Sequence, residues 1–386
     1  MKHLRLFVCM TAIAMLFTEC KKTASFENYI SIADPDDSQE VAFEDVATDI
    51  RIVPLISDEP VGGCSGIKCY GSTVMVRADQ GKGLFIFEDG KQTAHLCKVG
   101  RGRGEYTLIG DFVYSPTKKL LYIKGAAGNN NVLTYSVPDL QFKGSFDGGD
   151  FTAFAEHDDS TLICRMVNEE DQKFADYFIS AKNGEKLAIA KEATITSLMF
   201  NTDMNYYTPQ HRILLETGSV STISEMPARI GDKERIIRQF DFGENSVPVR
   251  FDSINFIDNP ESILTDYLDY LLTNRDVVVN INQAVADKGS VSFWYKAIGS
   301  QEATYCRIND NGEMVRYCDF KASGTKKGLF ATGVTEKGQY VTLIEGLPET
   351  LFDEESHERS EFSAKLENTM KAQAFNNPVL VYYNIK

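Results

Sequence analysis

The chain has 386 residues, a formal net charge of −15 and 43% hydrophobic residues. Nucleic acids are bound through concentrated Lys and Arg, so this balance excludes a nucleic-acid partner and disfavours broad adhesion of the protein surface to anionic lipid. Eight cysteines and five histidines occur without C-x-x-C or H-E-x-x-H spacing, so no zinc site, metal or cofactor is expected.

The first element is "MKHLRLFVCMTAIAMLFTECKK". Lys2 and Arg5 precede an apolar run from Leu6 to Phe17, shorter than the roughly 20 residues a spanning helix needs. A basic start, a short apolar run and an abrupt polar end describe a secretory signal, assigned to residues 1–19. Cys20 stands where bacterial lipoproteins carry their acyl chains, and the preceding "LFTE" is similar to the relaxed lipobox of Bacteroidetes. Two or three acyl chains, at about 0.8 kcal/mol per buried methylene, anchor a protein stably without spanning. Lys21 and Lys22 follow directly, where surface-exported Bacteroidetes lipoproteins carry acidic residues, so a periplasm-facing position at the outer membrane is expected. Residues 20–40 are read as a tether, with "YISI" as a short strand within it, and residues 41–386 as one domain.

Strand-like runs dominate that domain. In "VLTYSV", Leu133, Tyr135 and Val137 alternate with Thr134 and Ser136, the period of a half-buried strand. Hairpin signals fall at Asp89-Gly90, Pro138-Asp139, Asn183-Gly184, Gly231-Asp232 and Asn311-Gly312. Their steps are about 45 to 50 residues, then one of about 80, and a step in the forties fits one four-stranded propeller blade. The long step holds "PESILTDYLDYLLTNRD", with helical spacing of Ile263, Leu264, Tyr267, Leu268 and Leu271. A second helical segment, "FDEESHERSEFSAKLENTMKAQA", stands where a sixth hairpin is due. The expected fold is therefore all-β, a six-bladed propeller with helical insertions in its fifth and sixth blades. Its ring is expected to close between "VATDIRIVPL" (46–55) and "NPVLVYYNIK" (377–386), because open sheet edges need cover.

"GRGRGEY", residues 100–106, invites a phosphate-loop reading. It lacks the G-x-G-x-x-G pattern, no G-K-[ST] follows, and the next residues read as strands, so no helix N-terminus awaits pyrophosphate. The stretch is read as a blade crossover built on Gly100, Gly102, Gly104, Glu105 and Tyr106, with positive φ expected among the glycines and Gly102 as the test position. Arg101 and Arg103, with Tyr206 and Tyr207 in "NTDMNYYTPQHR", are secondary candidates for ligand contact. "KVGRGRGEY", "DIRIVPL" and "NNPVLVYYNIK" together resemble the crossover, opening and closing strands of the six-bladed β-propeller lipoproteins of Bacteroidetes. That resemblance implies an NHL-like propeller, found beside outer-membrane nutrient uptake systems, with no established reaction.

Catalytic patterns are sparse. No G-x-S-x-G occurs, and His157-Asp158 could at most ligate weakly. "INDNGE" is a hairpin and not a calcium loop. Disulfides are open at Cys64–Cys69, while a two-residue turn at Asn311-Gly312 would set Cys306 opposite Tyr317 and leave Cys318 on the other face. The expected role is a non-catalytic, monomeric binding module for a glycan or an outer-membrane protein. A glycan hydrolase or lyase at the channel mouth, and an accessory subunit of a transport or sensing complex, are the alternatives.

Overall fold

The computed structural model describes residues 29–32, 38–126, 130–149, 151–167, 174–192, 212–216, 218–251, 260–353, 355–356 and 359–386. The signal, Cys20, Tyr206, Tyr207 and His357 lie outside the described residues.

Three strands come first: β1 (Tyr29–Ser31), β2 (Gln39–Ala42) and β3 (Ala47–Pro54), the last two joined by a single turn, α1 (Phe43–Val46). Blade 1 then comprises β4 (Cys64–Tyr70), β5 (Thr73–Ala78), β6 (Gly83–Glu88) and β7 (Lys91–Leu96). Blade 2 comprises β8 (Ile109–Ser115), β9 (Leu120–Gly125), β10 (Asn131–Ser136) and β11 (Phe142–Asp147). Blade 3 has β12 (Phe151–Asp158), β13 (Thr161–Val167), β14 (Phe174–Ser180) and β15 (Lys186–Glu192). Blade 4 is described by β16 (Ile213–Glu216), β17 (Ser221–Glu225) and β18 (Arg235–Asp241). After the helix α2 (Pro260–Thr273), blade 5 has β19 (Val278–Asp287), β20 (Ser290–Ala297), β21 (Thr304–Ile308) and β22 (Met314–Lys321). Blade 6 has β23 (Gly333–Val334), β24 (Tyr340–Ile344) and, after α3 (Pro348–Leu351) and α4 (Glu361–Lys371), β25 (Val379–Ile385). The six sheets make an all-β, six-bladed propeller.

Each of the five hairpin signals sits between the last two strands of its blade. The local chemistry explains why: Asp89 and Gly90 have φ of 48° and 77°, and Gly184, Gly231 and Gly312 also have positive φ, the backbone a tight right-twisting hairpin requires. Ring closure falls where the sequence puts it. β3 pairs antiparallel with β25, Val379 opposite Pro54 and Ile385 opposite Ala47, so an early strand supplies the outer edge of the last blade. Val379, Val381 and Tyr383 are buried there.

The early segment does more than close the ring. β1 lies parallel to β18 on blade 4, β2 parallel to β22 on blade 5, β3 completes blade 6, and Ile56 bridges Lys91 on blade 1. Strands β1, β2 and β3, with Ile56, thus form a belt around the outer edges of four successive blades. Strands β1 and β2 both begin inside the stretch read as a tether.

Two details differ from expectation. α3 and α4 interrupt the connection between β24 and β25 and do not enlarge a terminal hairpin, because blade 6 takes its last strand from the N-terminal side. The loop between β21 and β22 spans 309–313, with Asn309 N–H donating to Glu313 O and Gly312 N–H to Asn309 O, which shifts the register by one. Cys306 therefore faces Arg316, not Tyr317, and Cys318 shares its face. All four cysteines considered for disulfides are free thiols. Cys64 and Cys69 lie at opposite ends of the extended β4, roughly 16 Å of strand apart and well beyond bonding reach.

Candidate functional site

Residues 97–108 carry the chain from β7, the outer strand of blade 1, to β8, the inner strand of blade 2. Tyr106 is buried and anchors the loop: its hydroxyl lies 2.9 Å from Lys82 O and 3.0 Å from Leu96 O. Tyr106 N–H donates to Lys98 O and Gly100 N–H to Tyr106 O. From blade 2, the Tyr135 hydroxyl donates to Gly104 O at 2.7 Å, and Lys98 Nζ donates to Leu140 O at 3.0 Å.

The glycines have separate reasons. Gly104 has φ of +74°, and a Cβ there would meet the Phe142 ring at 2.8 Å. Gly102 is not in the left-handed region, so the expectation placed on it belongs to Gly104. A Cβ at Gly100 would stand 2.0 Å from Glu105 Oε2. That carboxylate accepts the Gly102 N–H at 2.7 Å. Thus the loop's own acid occupies its inner side, where a phosphate cradle would need open N–H groups.

The outer side is different. Gly100 through Glu105 and Thr107 form one wall of a depression of about 360 Å³, and Asn131, Leu133 and Ser145 of blade 2 form the other. Arg101 and Arg103 stand exposed on its rim. Arg103 lies 5.9 Å from the Phe142 ring, and among the described residues neither guanidinium has an ion-pair or hydrogen-bond partner. Most other arginines are committed: Arg77 donates to Ser65 and Ile109 carbonyls, Arg235 pairs with Glu225, and Arg359 with Glu367.

A smaller depression, about 120 Å³, lies between blades 4 and 5 beside Arg212, Glu225, Arg235, Asp287 and Lys288. Its charges largely neutralise one another, Arg235 lying 2.5 Å from Glu225.

On the inner strands, sequence reading missed Asp111. Its Oδ1 accepts from Lys68 Nζ of β4 at 2.7 Å, and its Oδ2 accepts from Phe154 N–H of β12 at 3.1 Å. One carboxylate thereby ties the inner strands of blades 1, 2 and 3. A lone acid inside "IGDFVYS" was the only signal, and it needs the ring to acquire meaning. Glu156, also on β12, has its carboxyl pushed up by burial, partly countered by a Ser115 hydrogen bond.

His157 is not available as a ligand. Its Nε2 contacts Pro227 O and its Nδ1 contacts Asp158 Oδ2, both at 2.9 Å. Burial works against the Asp158 charge, but hydrogen bonds from Ser160 and His157 outweigh it and hold the carboxyl at about 2. Among the described residues no cluster of three His, Cys, Asp or Glu side chains could hold a metal ion, and no helix is long and apolar enough to cross a membrane.

A family model described as a six-bladed β-propeller matches residues 20–284. The chain belongs to that family. A solved protein of Bacteroides fragilis, described as a candidate exported protein, shares this propeller fold at a TM-score of 0.65 and 14% identity, covering 93% of this chain and 99% of its own. A Bacteroides vulgatus protein from a separately named family has a TM-score of 0.45 and 10% identity over 88% and 98% of the two chains. The propeller of Toxoplasma gondii coronin has a TM-score of 0.40 and 13% identity over 91% and 89%. No curated protein sequence matches the chain.

Proposed function

We propose that this propeller is a lipid-anchored, non-catalytic binding module of the cell envelope that holds an anionic group at the blade 1–blade 2 crossover. The observation that carries the reading is the uncommitted arginine pair on the rim of the 360 Å³ depression. In a chain of net charge −15, two adjacent guanidiniums left without carboxylates are placed to meet a carboxylate, sulfate or phosphate through charge-assisted hydrogen bonds. The anchor is assigned to Cys20 after its apolar run, and the export description of the Bacteroides fragilis neighbour supports an envelope location. Uronic acids and sulfated sugars are the glycans that fit, consistent with a role in nutrient capture.

Thermal shift of the wild type and of Arg101→Ala with Arg103→Ala, against phosphates, sulfated glycans and uronic acids, tests the site. One ligand class at a hundred times its Kd stabilises the wild type by about 2.7 kcal/mol and leaves the double variant unmoved. A wild type indifferent to every ligand refutes it. The anchor has its own test: Cys20→Ser releases the protein from membranes or leaves the signal uncleaved, and wild-type protein takes up labelled palmitate.

A further inference from the structure

The outer hairpin of blade 4 stands apart from the other hairpin tips. At Gly90 and Gly184 a Cβ would meet the preceding blade's backbone, Pro54 O at 2.7 Å and Asp147 O at 2.0 Å, and Gly312 has Ile30 Cδ1 within 3.7 Å. At the blade 2 tip, Leu140 packs against the core and its carbonyl accepts from Lys98. Around Gly231, among the described residues, nothing lies within 4 Å of a Cβ position. Residues 228–233, "ARIGDK", are all exposed. Ile230 is 43% and Ile236 37% exposed, and beside Ile230 the exposed tip carries two cations, Arg229 and Lys233, against one acid, Asp232.

The belt begins on this same blade, where Tyr29 pairs with Gln239. Cys20 precedes Tyr29 by about nine residues, which reach at most about 30 Å when fully extended. A globule of about 350 residues is roughly 50 Å across, so the tether is shorter than the propeller it holds. An acyl anchor at Cys20 therefore keeps the rim of blade 4 close to the bilayer.

We infer that the blade 4 hairpin rests on the membrane surface, with Ile230 at the headgroup–acyl boundary and Arg229 and Lys233 on anionic headgroups; this rests on the lipid-anchor reading. The net charge of −15 does not prevent it, because screening over about 8 Å lets the charges at the contact decide. Blade 1 lies three blades round the ring, so the Arg101–Arg103 depression faces away from the bilayer and stays open to ligand.

The test uses the full acylated protein in phosphatidylethanolamine–phosphatidylglycerol vesicles, in a Cys97→Ser background, with a fluorophore at Ile230→Cys or at Asp139→Cys on the blade 2 tip. Nitroxide-bearing lipids quench the Ile230 position at least about threefold more than the Asp139 position. Arg229→Glu with Lys233→Glu, read through a label at Ala228→Cys, lowers that quenching. Equal or reversed quenching, or no response to the charge reversal, overturns the docking. Palmitate uptake and vesicle flotation report the anchor separately, so a protein that floats but is quenched equally at both tips refutes the docking alone.

Discussion

Beside the packing of Phe178 and Ala190 on Leu214 and Met226, blades 3 and 4 share a network of buried charges, whereas blades 5 and 6 meet through rings. Within blade 3, Arg165 makes a two-point pair with Asp176 at 2.9 and 3.1 Å, and Asp176 stands opposite Lys191 in the strand register; across the seam, Lys191 Nζ reaches Glu216 at 3.1 Å and Glu234 at 3.2 Å on blade 4. Arg165, Asp176, Lys191 and Glu216 are all buried. At the second seam, Trp294 packs on Phe320 of its own blade at 4.7 Å and on Tyr340 of blade 6 at 6.0 Å, and Phe43 from the belt packs on Tyr383 at 5.0 Å. Buried charges stabilise only while every partner is present, because each alone suffers the full desolvation cost. Rings fill volume and tolerate substitution of similar size. One propeller therefore uses an all-or-none joint and a graded one.

The largest effect is expected where the graded joint also closes the ring. Deleting residues 378–386 removes β25 together with Val379, Val381 and Tyr383, each side chain worth roughly 1.5 to 3 kcal/mol of burial, comparable in sum with the stability of a whole domain. The expected outcome is loss of soluble, cooperatively unfolding protein. A soluble deletion variant with an unchanged Tm contradicts the seam.

Single breaks come next. Lys191→Met leaves Glu216 buried without its cation and costs about 3 to 5 kcal/mol; Trp294→Ala leaves a cavity and costs a similar amount. Milder changes separate the two joints. Trp294→Phe recovers much of the loss, whereas Lys191→Met is relieved only when Glu216→Leu is added. Denaturant titration of this double-mutant cycle shows strong positive coupling in the charged seam. Independent, additive losses contradict it.

Titration gives the smallest effects. Coulombic attraction to Glu216 and Glu234 outweighs burial and raises the Lys191 pKa above its ordinary 10.5. Its contribution is thus complete below that value and lost as pH rises through the folded one. Tyr305 moves the same way: burial pushes its phenol from 10.0 to about 12, against a Ser292 hydrogen bond, so its neutral burial stops stabilising between about pH 10 and 12. Alkali weakens both seams. Acid separates them, because the Asp158 carboxyl, bonded to the His157 that spans to Pro227 of blade 4, is held at about 2 against an ordinary 3.8. Its stabilisation is complete above about pH 4 and fades as pH falls through 2. Hydrogen exchange in β14–β17 should rise over that range before Trp294 fluorescence changes, and Asp158→Asn should abolish the pH dependence. Simultaneous loss at both seams refutes the assignment.

The crossover shows how far sequence reading carries. Glycine spacing and the strands that follow "GRGRGEY" point to a chain reversal between blades, because those signals are local. Which glycine needs positive φ is decided by Phe142, about 40 residues downstream, which crowds Gly104. The depression likewise needs Asn131 and Ser145 from strands paired elsewhere. Asp111 is invisible in sequence for the same reason: its partners, Lys68 and Phe154, are each about 43 residues away, one blade repeat in either direction.

By itself the sequence determined the strands, through alternating burial, the five outer hairpins, three through Asp-Gly and Asn-Gly pairs that accept positive φ and two through Pro138-Asp139 and Gly231-Asp232, and the two segments able to close the ring. These are choices made by a few neighbouring residues, and chain sterics settle them locally. Tertiary structure decided the path of the belt strands over blades 4, 5, 6 and 1, the partners of Lys191, and the exposure of the blade 4 tip. Each of those depends on surfaces brought together only when the ring closes, since pairing energy between distant strands has no counterpart in local sequence pattern.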